Sequence, residues 1–280
     1  MSRRLLAFHV LVSSLVCLLS REVYAQAAKA SPGAPPKVLL LVHQQMIPGK
    51  AGERQRLEVE TSRRFDALNV PITWIELEAV TGPPQALFFD PANSFEELDR
   101  AGAMLGDTFA AHPELAQLQQ QIEERLASSK TVVAVRRDEL GLGTDRVDLT
   151  KARYLRITVV SLRPGHERDF AAAQNILSLA LSRSHAEAAW VVYEVNSGMT
   201  QPTFLVVEAL RSLRDIDKEL DMAHTIQQTL AETEQRHLDQ IAQEAYMSVE
   251  RNLYAFHPDM SHVAKEFASG DPAFWTPDKK

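Results

Sequence analysis

Six side chains of this sequence have the types and spacing of a small binding pocket: Trp74, Glu78, Trp190, Glu194, Arg156 and His43. The first four form two Trp-x-x-x-Glu pairs. Residues four apart on a strand share a face, so each pair sets an aromatic wall beside a carboxylate. Aromatic walls with a few convergent polar groups are how small-molecule sites are commonly built. The competing reading is structural, because tryptophan also fills the space between two sheets without any ligand. Arg156 breaks an otherwise apolar strand, and burial there requires a carboxylate such as Glu194 or Glu250 to offset desolvation. His43 interrupts the apolar run that begins at Val38, and its parity with Leu39 and Leu41 predicts a helix-covered position.

Other constellations are weaker. His257-Pro258-Asp259-Met260-Ser261-His262 offers two imidazoles and a carboxylate but no fourth ligand, so no metal site is expected. Gly141-Leu142-Gly143-Thr144-Asp145 lacks the third glycine of a dinucleotide-binding turn, and neither a Gly-x-Ser-x-Gly elbow nor a His-Glu-x-x-His pair occurs. No catalytic set is complete. The formal charge of −7 over 280 residues lacks the basic excess that neutralises phosphates, which excludes nucleic acid as a partner.

The elements that would position these groups come in two copies. Pro48-Gly49 and Pro164-Gly165 each close a β-rich apolar run, and the same offset of 116 residues aligns Trp74 with Trp190, Glu78 with Glu194 and Phe88 with Phe204. A tandem duplication follows. Amphipathic helices come next, with stripes Leu57, Thr61, Phe65, Leu68 and Phe170, Ala173, Leu177, Leu181; then a hairpin, further helix and a last strand, expected at Thr131 to Arg137 and Tyr246 to Arg251. The predicted organisation is a signal peptide over 1–25, a flexible leader over 26–36, one βαββαβ repeat over 37–140, a linker over 141–152, a second repeat over 153–258 and a tail over 259–280. The apolar run of the signal, Leu5 to Leu19, is too short for a bilayer span, and cleavage near Ala25 would export the chain to the periplasm or medium and remove Cys17, its one cysteine. Within each repeat, Ile75, Leu77, Ala79 and Val191, Tyr193, Val195 are expected to face the helices. Trp74, Glu78, Trp190 and Glu194 would then face the space between the two sheets.

The Ile47-Pro48-Gly49-Lys50 and Arg163-Pro164-Gly165-His166-Glu167 turns, each followed by an amphipathic helix and a hairpin, resemble the dimeric α+β barrel superfamily in a tandem, single-chain version. The resemblance covers Val38 to Pro258. It implies an α+β fold in which two ferredoxin-like antiparallel sheets pack face to face as an intramolecular barrel, a pseudo-dimeric monomer with room for a cavity between the sheets. The superfamily includes antibiotic-biosynthesis and haem-degrading monooxygenases and haem peroxidases. Because fold does not fix chemistry, the expectation is an exported, non-catalytic protein without a cofactor, binding a small, partly apolar molecule. The alternative is an oxygenase-like or haem-handling enzyme with His43 as haem ligand.

Overall fold

A computed structural model describes residues 31–185 and 187–276; the predicted signal peptide lies outside them. Each half runs strand, helix, hairpin, two helices, strand. The first comprises β1 (Val38–Met46), α1 (Ala51–Leu68), β2 (Ile75–Ala79), β3 (Gln85–Ala92), α2 (Phe95–Ala111), α3 (Pro113–Glu123) and β4 (Leu126–Arg136). The second comprises β5 (Tyr154–Leu162), α4 (Glu167–Ser184), β6 (Val191–Ser197), β7 (Thr203–Leu210), α5 (Arg214–Thr229), α6 (Glu232–Glu244) and β8 (Tyr246–Phe256). All pairings are antiparallel, and the strands close in the order β1-β3-β2-β8-β5-β7-β6-β4. The two ferredoxin-like sheets therefore meet at both edges, β2 on β8 and β4 on β6, in the expected α+β barrel.

Local geometry repeats at the same offset. Gly49 and Gly165 follow proline at φ +82° and +89°, a left-handed turn position that glycine occupies without a Cβ penalty. Helices α1 and α4 are 18 residues each and end at Asn69 and His185, both left-handed. The last strands are longer than expected. Pairing of Met46 with Leu126 and of Leu162 with Tyr246 aligns β4 and β8 at 120 residues rather than the 114 implied by their apolar ends. The first half of β4, Ala127-Ser128-Ser129-Lys130, is exposed and polar and carries no alternating signal.

The expected facing of the strands is inverted. Ile75, Leu77, Val191, Tyr193 and Val195 belong to the core inside the barrel, with Leu39, Leu41, Leu155 and Ile157, while the Trp/Glu set lies under the helices. A closed barrel seals its inner face from water on every side, whereas a helix-covered face keeps a wet rim. The more continuously apolar set therefore goes inside.

One end of the barrel is plugged. Tail residues Phe267, Ala268, Phe274 and Trp275 pack there with Val147 and Leu149 of the connection between halves, and Trp275 Nε1 donates to the Thr150 carbonyl at 2.7 Å. Of the predicted leader, Gly33, Pro35 and Pro36 are buried, and Leu149 N and Tyr193 Oη donate to the Gly33 and Pro36 carbonyls. From Gly33 onward this segment is fixed to the body, a correction to the flexible reading.

The halves differ most beneath their first helices. The buried stripe of α1 is Arg54, Glu58, Thr61, Ser62 and Phe65, while Leu68, expected inside, is exposed. Arg54 Nη1 donates to Glu76 Oε1 at 2.6 Å and Nη2 to Glu58 Oε1 at 3.0 Å and Gln44 Oε1 at 2.8 Å. At the matched positions the second half has Val160, Phe170, Gln174 and Val192, with Phe170 stacked on Phe204 at 4.4 Å. Burial, opposed by Arg54, raises the pKa of the Glu58 carboxyl; burial and the neighbouring Glu58 raise that of Glu76. Asp90, matched by Val206, is pushed from 3.8 up to about 7 by burial, and its Oδ1 has no hydrogen-bond partner. A raised carboxyl pKa stabilises the fold at low pH and loses that contribution as pH climbs to the folded value. Asp90→Asn should therefore flatten the fall in urea midpoint between pH 3.8 and about 7; an unchanged slope would contradict the burial.

Candidate functional site

The other end of the barrel is open. A cavity of about 250 Å³ enters there, lined by Leu41, Val132, Ile157 and Leu205 as apolar walls and by His43, Lys130, Glu250, Asn252, Tyr254 and Gln85 as polar groups. Among the described residues, the space between the sheets holds the packed inner core and, at this end, the cavity. Alternation explains the lining. His43 follows Leu39 and Leu41 on the inner face of β1, and Glu250, Asn252 and Tyr254 precede Phe256 on the inner face of β8.

His43 lies directly opposite Lys130 across the β1–β4 pair, and Val159 opposite Glu250 across β5–β8. Side chains so placed have Cβ atoms roughly 5 Å apart. The two pairs occupy matched positions, so the mouth is polarised, with imidazole and ammonium on the first half and carboxylate on the second. Burial first, and then the Lys130 charge, lowers the His43 pKa below its ordinary 6.5, with Glu250 opposing. At neutral pH the ring is an uncharged base. No hydrogen bond engages it among the described residues. Tyr254, buried, is pushed up to about 12 by burial and then by Glu250, so its hydroxyl keeps its proton. That oxygen accepts from Gln85 Nε2 at 3.4 Å, and Asn252 Nδ2 donates to Glu250 Oε1 at 3.1 Å.

The other sequence-selected residues lie elsewhere. Trp74 stands edge-on to Phe65 at 5.0 Å between centroids and donates from Nε1 to the Met260 carbonyl at 2.9 Å. Trp190 donates to the Leu140 carbonyl at 3.3 Å. Glu78 accepts from Gln55 of α1 at 2.7 Å and lies 3.4 Å from His257 Nε2; Glu194 pairs with Arg137. Arg156 forms a bidentate pair with Glu208, both contacts 2.7 Å, and also meets Glu219, rather than Glu194 or Glu250. All five are bound up in helix–sheet or edge contacts outside the barrel, and none lines the cavity. His262 contacts Asp66 at 2.6 Å and the Val70 carbonyl at 2.9 Å, so it is committed to holding the tail on α1. Among the described residues no group of three metal-ligating side chains occurs.

His43 is the one sequence-selected residue in the cavity, on the inner face rather than beneath the helices. It does not suit haem. The volume is below the roughly 300–1,000 Å³ of pockets that hold drug-sized ligands, a porphyrin is larger than most such ligands, and the Lys130 ammonium beside the imidazole opposes a bound metal cation. The haem-ligand reading of His43 is therefore set aside. Lys130 and Tyr254 were missed. The usable signal was the alternation of Glu250, Asn252 and Tyr254 along the last strand, which marks an inner polar row ending in an aromatic hydroxyl.

No protein-family profile matches the chain, and no curated protein matches it. Solved structures do. The chain is similar to an anthrone oxidase-like protein at 14% identity and TM-score 0.51, covering 79% of this chain and 91% of that one. It also aligns with a presumed monooxygenase of Lactobacillus acidophilus (8% identity, TM-score 0.46, covering 81% and 95%) and with chlorite dismutase of Candidatus Nitrospira defluvii in complex with imidazole (11%, TM-score 0.46, covering 83% and 96%). At these identities the likeness is one of fold, a closed antiparallel α+β barrel. The expectation of a non-catalytic binding protein is corrected to this extent: the neighbours carry enzyme names, which favours the alternative, an oxygenase-like or haem-handling enzyme, as the reading to propose.

Proposed function

We propose that this protein is an oxygenase-like enzyme that works without a cofactor in the barrel-mouth cavity, on a small, partly apolar substrate carrying a C–H made acidic by a carbonyl, directly or through conjugation. The observation that carries this reading is an imidazole on the inner face of β1, with no hydrogen bond among the described residues, lining a cavity that has both aliphatic walls and a polar rim. His43 takes the proton from carbon, in the manner of a general base. The carbanion passes its electron pair to molecular oxygen, which forms a C–O bond and a peroxide anion, and the His43 imidazolium protonates that anion to a carbon hydroperoxide. Loss of water from that group leaves a carbonyl where a methylene stood, so that one O2 gives one carbonyl oxygen and one water. The neutral His43 then takes the remaining hydrogen of that carbon as a proton while the O–O bond breaks, and passes it to the departing hydroxide, which leaves as water. A closed barrel around the reacting carbon keeps bulk water from quenching the carbanion.

The barrel itself descends, in this reading, from a duplicated half, which makes the chain a pseudo-dimer, and the signal-like N-terminus directs it out of the cytoplasm. Anthrone, whose methylene lies between two arene rings that conjugate it to the ring carbonyl, is the first probe. Purified chain freed of metals by chelation should consume O2 with anthrone and yield the corresponding quinone in equal amount. Absence of uptake with anthrone and with other carbonyl-activated methylenes would overturn the proposal.

A further inference from the structure

The turn between β6 and β7 sets a thioether over the mouth. Gly198 takes φ +92°, and a Cβ there would run into the Thr131 carbonyl of β4, so the turn lies directly on the strand that carries Lys130 and Val132. Thr203 Oγ1 donates to the Thr200 carbonyl at 2.6 Å and Gln201 Nε2 to the Val195 carbonyl at 3.3 Å, which fixes the turn from within. Met199 then points inward, packed on the barrel core and lining the cavity. It is the one sulfur among the described lining residues. Lys130 stands directly opposite His43, so the thioether sits over the strand next to the one that carries the base.

We propose that Met199 is an oxidation site built into the cavity: a carbon hydroperoxide held there passes its outer oxygen to Met199 Sδ. The sulfur lone pair attacks the terminal oxygen, the O–O bond breaks, and the proton of that oxygen goes to the leaving alkoxide. The products are methionine sulfoxide and an alcohol, with sulfur giving up the two electrons that the peroxide gains. Where the hydroperoxide is made in the cavity from O2, the step rests on the oxygenase reading and is the competing fate of the intermediate that His43 otherwise turns into a carbonyl and water. Oxidation converts a flexible apolar side chain into a polar one. Beside Leu41, Val132, Ile157 and Leu205 that change weakens the hold on an apolar substrate, so the site closes itself down when its chemistry goes astray, and reduction of the sulfoxide restores it.

The test uses cumene hydroperoxide, an apolar peroxide of one ring with no C–H on its peroxide carbon, so that loss of water to a carbonyl is closed to it. Peptide mass spectrometry of the purified chain reads the oxygen added at each methionine. Met247, 59% exposed on β8 and outside the cavity lining, is the internal reference. Met199 should oxidise at least about tenfold faster than Met247 with cumene hydroperoxide. Hydrogen peroxide, which needs no cavity, should level or reverse that order, and in the urea-unfolded chain the two should react alike. Equal or slower reaction of Met199 with cumene hydroperoxide, or a preference that survives unfolding, would overturn the inference. During turnover of anthrone, wild-type uptake should slow with rising KM as Met199 gains oxygen, and Met199→Leu should slow less. The two proposals fail separately. Selective oxidation by added cumene hydroperoxide without O2 uptake from anthrone removes the oxygenase and leaves the site; sustained uptake with Met199 untouched by either peroxide does the reverse.

Discussion

Replacing His43 with alanine should lower kcat for O2 uptake by about 10²–10⁴, the usual worth of a positioned general base, with a far smaller change in KM. The imidazole contributes little to substrate contact compared with the aliphatic walls. Among the described residues lining the cavity it is the one imidazole, held as an uncharged base by burial, while the Tyr254 hydroxyl keeps its proton. The fold should survive, because His43 makes no hydrogen bond among the described residues and stands at the rim of the packed interior. Circular dichroism and an unchanged thermal transition would show this. A variant that retains wild-type kcat would remove His43 from the chemistry.

Arg54→Ala should cost about 3–5 kcal/mol of unfolding free energy at neutral pH, the usual penalty for removing one partner of a buried ion pair. Arg54 is fully buried and holds Glu58, Glu76 and Gln44 together beneath α1. The loss reflects the two carboxyls left facing each other without a cation, rather than the strength of the cluster itself. Buried ion pairs are often no better than apolar packing, and the second half of this chain has the apolar version. Transplanting that version, with Gln44→Val, Arg54→Phe, Glu58→Gln and Glu76→Val together, should recover most of the stability lost by Arg54→Ala. Urea denaturation of the three proteins decides this. If the single substitution costs under about 1 kcal/mol, the range of an exposed pair, the cluster is not buried as described.

The barrel was legible because its signals are local and doubled. Pro-Gly turns, Trp-x-x-x-Glu strands and amphipathic helices recur at one offset, and each unit alone specifies a split βαβ plan. Which face of a strand points inward was not legible from alternation. Ile75, Leu77 and Ala79 would suit either a helix layer or a barrel interior, and closure of the two sheets decides between them. That choice moved the whole candidate site, turning Trp74, Glu78, Trp190 and Glu194 outward and bringing His43 in. The α1 stripe misled for a related reason. Arg54 and Glu58 fall outside the apolar stripe of Leu57, Thr61, Phe65 and Leu68, and nothing local shows that Glu76, 22 residues from Arg54 in sequence, will meet them. Lys130 escaped notice because its half of β4 is polar on both faces, as befits a strand that rises past its neighbour to form the rim of the mouth.

The account depends on His43 acting as an uncharged base inside the barrel. Its pKa is lowered by burial and by Lys130, so protonation, and with it loss of the base, should set in only below the ordinary 6.5. The direct measurement is O2 uptake with anthrone across pH, wild type and His43→Ala side by side under single-turnover conditions. The account predicts a wild-type rate that is level near neutrality and falls below an apparent pKa under 6.5, and a variant with a residual rate lacking that fall. A variant that keeps both the rate and the acid limb of the wild type would contradict it.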